Sequence, residues 1–76
     1  MKVTVKVTHD SIGEVLVKTR DISESGIFLL TEDVDMPPIG TIVEGQVQGM
    51  AEEGPVLKLE IVRAEPVGIG LRFINE

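Results

Sequence analysis

The segment Asp21-Ile22-Ser23-Glu24-Ser25-Gly26 holds the residues best able to do chemistry in this chain. Asp21 offers two carboxylate oxygens that accept hydrogen bonds, and Ser23 a hydroxyl that donates and accepts. Gly26 has no Cβ, so it can take a positive φ and lets another group approach the backbone. Three such residues in six positions make a polar ledge for a hydrogen-bonding ligand, for example a guanine edge. The same residues also make an ordinary strand-to-strand turn, in which Asp21 and Ser23 accept from nearby backbone N–H groups. Arg20 adjoins the ledge. It reads either as a phosphate contact or as a solvated strand residue pointing outward with Lys18. Arg63 and Arg72 read as surface charges near Glu60 and Glu65.

Other chemistries find little material. His9 and Asp10 stand side by side in a turn segment, where they read as polar loop residues rather than a general-base pair. The chain has no cysteine to serve as nucleophile and a single histidine, too few for a zinc-type ligand set. Glu32-Asp33-Val34-Asp35 has acidic spacing, but no calcium-loop pattern follows it. No catalytic residue, metal ligand or cofactor is assigned, and the reading is of a binding module, not an enzyme.

Charge and composition narrow the partners. The formal net charge is −6 and the pI about 4.6. Nucleic-acid binding needs a basic stripe, and an anionic membrane surface attracts polybasic segments. Both partners are therefore disfavoured. An oligonucleotide-binding barrel, which uses aromatic platforms, fits poorly with Phe28 and Phe73 as the sole aromatics. No signal peptide or membrane span is visible, and the absence of cysteine accords with a cytoplasmic location. At 76 residues the chain is expected to form one domain, 1–76.

These residues must be positioned by strands, because the dominant pattern is alternation with period two. Val3, Val5 and Val7 interleave with Lys2, Thr4, Lys6 and Thr8. Glu14 to Arg20 sets Val15 and Val17 on one face, with Leu16 breaking the pattern. Ile27 to Thr31 is a short apolar run and a third strand. Thr41 to Gln48 carries Val43 and Val47. Val56 to Ala64 carries Leu57, Leu59 and Ile61 opposite Lys58 and Glu60. Val67 to Ile74 carries Ile69, Leu71 and Phe73. The expected core is these thirteen side chains: Val3, Val5, Val7, Val15, Val17, Val43, Val47, Leu57, Leu59, Ile61, Ile69, Leu71 and Phe73. No window keeps a helical period. Six short strands suggest a closed barrel or a sandwich, and closure removes exposed edges. Gly68 and Gly70, alternating with core residues, let the sheet coil sharply or let another backbone approach.

Asp-x-Ser-x-x-Gly opening a short apolar strand resembles the second signature of PilZ domains. The likeness extends over Val17 to Leu30, over Pro38-Ile39-Gly40-Thr41 leading into a strand, and over Gly68-Ile69-Gly70-Leu71-Arg72-Phe73. Together these cover most of the chain in the family's order. Ile27 stands where the family usually has a second glycine. The resemblance implies an all-β, six-stranded antiparallel barrel that binds cyclic di-GMP on its outer surface without catalysis. It implies a regulatory module of bacterial second-messenger signalling, of the kind tied to motility and biofilm formation, which relays to a protein partner. Asp21, Ser23 and Gly26 match the guanine-side motif, and Arg20 and Lys2 become secondary phosphate contacts.

The family's first signature, Arg-x-x-x-Arg before the first strand, is absent. Lys2 falls where its second arginine belongs, and the first would precede Met1, so the native sequence upstream of Met1 bears directly on ligand binding. Lysine does not replace a stacked, bidentate arginine. Charge-assisted hydrogen bonds are worth ~1.5–3 kcal/mol each, so two missing arginines cost ~10²–10⁴-fold in affinity. The sequence thus supports two readings. One is a cyclic di-GMP module that binds weakly as it stands. The other is a PilZ-like protein-interaction adaptor that does not bind nucleotide, as in type IV pilus or motility regulation. Partner and oligomeric state are not legible.

Overall fold

The computed structural model describes residues 3–32, 34–49 and 54–74. Six strands follow one another: β1 (Thr4–His9), β2 (Gly13–Ile22), β3 (Gly26–Leu30), β4 (Ile42–Val47), β5 (Leu57–Glu65) and β6 (Gly68–Phe73). Every neighbouring pair is antiparallel, in the order β1-β2-β3-β6-β5-β4, and β4 pairs back onto β1 to close the barrel. The expected all-β barrel is the fold observed. Among the described residues there is no helix, and so none long and apolar enough to cross a membrane.

Period-two alternation explains the interior. Val5, Val7, Val17, Val43, Leu59, Ile61, Ile69 and Leu71 are buried together as expected from their phase. Ile27 and Leu29 join them from β3. Val3, Val15, Val47 and Phe73 pack against this cluster but are only partly buried. Leu57 departs from expectation: it is 38% exposed. It is the first residue of β5, paired with Gly45 at the rim, where the barrel interior opens to solvent. Leu16, paired with Lys6 across β1 and β2, points outward.

The ladder between β1 and β2 runs without interruption from Thr4↔Lys18 to His9↔Gly13, and that between β1 and β4 is equally regular. The other side of the barrel is not. The β2–β3 register shifts between Thr19 and Asp21, leaving Arg20 as an extra residue. The β5–β6 register shifts between Ile61 and Arg63, leaving Val62 as an extra residue. Each bulge locally sharpens the twist and re-aims the side chains beside it. Because pairing resumes after the first bulge, with Asp21↔Phe28 and Ile22↔Ile27, β2 continues past Arg20. Asp21 and Ile22, expected in the polar connection, therefore belong to the strand.

Candidate functional site

The connection between β2 and β3 shortens to Ser23-Glu24-Ser25, and its hydrogen bonds are local. The Ser23 N–H donates to the Gly26 carbonyl at 2.9 Å. The Gly26 N–H donates to Ser23 Oγ at 3.2 Å, and Ser23 Oγ lies 3.4 Å from Ser25 Oγ. Ser23 thus ties the turn closed while keeping its hydroxyl exposed. Ser23 accepts from a backbone N–H as expected, whereas Asp21 accepts from the Arg20 side chain instead.

Gly26 is needed for a different reason from the one its position suggests. The positive-φ glycines are Gly13, Gly40 and Gly49, and Gly26 is not among them. What Gly26 lacks is room. A Cβ there would run into the Leu71 carbonyl oxygen of the neighbouring β6, where Gly26 pairs with Arg72. A backbone atom cannot swing aside as a side chain can.

Phe28 is the residue that sequence reasoning missed. Ile27 and Leu29 point into the barrel, so Phe28 between them points out, yet it is only 4% exposed. Four residues account for its burial. Gly70, its partner on β6, and Gly68 have no side chains, which leaves a seat for the ring. A Cβ on Gly68 would come within 2.8 Å of Phe28 Cε1, and its other obstacle is the Leu29 carbonyl oxygen. Over the ring lie two guanidiniums, with the Arg20 carbon 3.9 Å and the Arg63 carbon 5.3 Å from its centroid. Both distances are in the range of cation–π attraction. The signal available in the sequence was the Gly68-x-Gly70 spacing opposite a phenylalanine, which becomes readable only once the β3–β6 pairing is known.

Arg20 therefore does not simply extend outward with Lys18. As the extra residue of its bulge it lies across Phe28, and its Nε donates to Asp21 Oδ2 at 3.1 Å. Arg63 pairs with Glu65 at 2.9 Å, and Arg72 with Glu60 at 2.6 Å, as the surface reading anticipated. These pairs are solvent-exposed, and such pairs contribute about 0–1 kcal/mol.

Asp21, Ser23 and Gly26 come together on one open cleft of about 420 Å³, which Phe28, Val62, Arg63 and Gly70 help to line. Arg20 borders it through Phe28. Lys2 lies outside the described residues. The cleft offers a carboxylate, a hydroxyl, glycine backbone and two cations beside an aromatic ring. That set can accept from donor groups on a base edge and hold negative charge nearby.

A family model described as PilZ domain matches residues 1–76, the whole chain. No curated protein gives a significant match.

Proposed function

The chain belongs to the PilZ domain family, a family of regulatory modules in cyclic di-GMP signalling, and we propose that it binds the dinucleotide weakly at the Asp21 cleft and relays to a protein partner. The observation that carries this reading is the convergence of Asp21, Ser23 and Gly26 on one cleft. Guanine presents two neighbouring N–H donors on its Watson–Crick edge. The exposed Asp21 carboxylate is the matching acceptor, and a charged acceptor makes hydrogen bonds roughly twice as strong as a neutral one. Gly70 leaves the seat in which the Phe28 ring lies, so the floor of the cleft beside Asp21 presents an aromatic ring to a flat base. Arg20 and Lys2 serve as phosphate contacts. The module works in the cytoplasm, and the relay is a change of protein contacts, not a reaction.

The weakness follows from Lys2, which stands where the second arginine of the Arg-x-x-x-Arg signature belongs and does not replace it in stacking or bidentate pairing. Calorimetric titration with cyclic di-GMP tests both halves of the reading. The 76-residue chain should show no saturation at low micromolar ligand. Appending an Arg-x-x-x-Arg segment whose second arginine replaces Lys2 should tighten binding by ~10²-fold or more. Changing Asp21 and Ser23 to Ala should abolish that gain, because phosphate contacts alone do not hold the guanine edge. Absence of binding even with the arginines supplied would overturn the reading in favour of a nucleotide-independent adaptor.

A further inference from the structure

The side of the barrel around Phe28 contains two bulges, and each delivers an arginine to the same ring. The shift between Thr19 and Asp21 sets Arg20 over it, and the shift between Ile61 and Arg63 does the same for Arg63. The ring sits over Gly70 in the floor of the cleft that holds the Asp21 carboxylate. Arg63 itself lines this cleft, whereas Arg20 stands at its border. The Arg63 side chain is 59% exposed, and its one ion pair among the described residues, with Glu65, is a surface pair. Its guanidinium carbon lies 5.3 Å from the Phe28 centroid, and the exposure of the side chain leaves it accessible to a flat partner. Guanidinium planes stack on aromatic faces and pair with phosphate oxygens, and both features occur in a guanine dinucleotide.

We propose that Arg63 is a ligand-contacting residue of this chain, stacking on guanine and offsetting part of what is lost by having Lys2 at the place of the signature's second arginine. This rests on the cyclic di-GMP reading of the same cleft. Glu65 then acts as a competitor: it holds Arg63 in the free protein and must release it when the anion arrives.

The test is a series of NMR shift titrations with cyclic di-GMP carried to millimolar ligand, each variant first checked for an unchanged thermal midpoint. In the unmodified chain the Arg63 Nε–Hε resonance should move together with the Gly26 and Gly70 amides. Arg63→Gln should weaken binding about tenfold, the equivalent of ~1.4 kcal/mol. Arg63→Lys should recover only part of that loss, since it keeps charge without the plane. Glu65→Gln should tighten binding. Lys6→Gln and Glu14→Gln make the same charge changes on the β1–β2 side and should leave affinity within about twofold. Unchanged binding by Arg63→Gln would overturn the role of Arg63 and leave the Asp21 reading standing. Equal weakening by Arg63→Gln and Lys6→Gln would overturn it too, by showing that net charge alone matters. No binding by the unmodified chain would remove the Asp21 reading and this one together, with no variant needed.

Discussion

The two sides of this barrel are built by different rules. Around β1, strand pairing is unbroken and residues alternate, with Val5 and Val7 inward and Lys6 outward. Around β3, two ladders shift register and an aromatic ring lies buried on the outer face. The regular side is a container. The irregular side carries every residue that lines the cleft. Bulges break the rule that outward means exposed, and this makes a cleft in a barrel wall.

Three glycines sharpen that contrast, because each meets a different obstacle. Gly68 sits on the irregular side, and its absent Cβ leaves space for the Leu29 carbonyl and the Phe28 ring. Gly68→Ala must push two strands apart, and it should cost about 3 kcal/mol in a denaturant melt. Gly26→Val should cost ~1–3 kcal/mol through its clash with the Leu71 carbonyl, not through backbone strain. Gly26→Ala should then carry much of the same penalty, which a conformational cause specific to β-branching would not give. Gly45 stands in β4, where a Cβ would meet Leu59 Cδ1 at 2.8 Å, the movable end of a side chain. Gly45→Ala should cost under about 1 kcal/mol, since Leu59 can adjust its rotamer. Equal costs at Gly68 and Gly45 would break the comparison, for the tight strand approach would then not distinguish the two sides.

The same contrast explains what the sequence made legible. Strict alternation carries phase, so phase alone assigns Val5, Val7, Val17, Val43, Leu59, Ile61, Ile69 and Leu71 to the interior, where they lie. Leu57 shares that phase but lies at the rim, and phase says nothing of height along the barrel axis. The run Gly26-Ile27-Phe28-Leu29-Leu30 carries no phase, so its inward members Ile27 and Leu29 and its outward member Phe28 could not be separated. A bulge leaves no mark in one sequence either. Arg63 reads as a surface strand cation and Arg20 as a neighbour of the ledge, and their meeting on Phe28 depends on two register shifts and a pairing between distant segments. The ledge of Asp21, Ser23 and Gly26 was legible because its residues are neighbours in the chain. Its complement, Val62, Arg63 and Gly70, comes from β5 and β6.

The claim that this side of the barrel is the recognition surface is tested most directly by mapping backbone amide shifts as cyclic di-GMP is titrated into the 76-residue chain. The account predicts fast-exchange shifts confined to Lys2, Arg20–Phe28, Val62–Arg63 and Gly70, with the amides of β1 and β4 unmoved. Shifts centred on β1 and β4, or none at millimolar ligand, would contradict it.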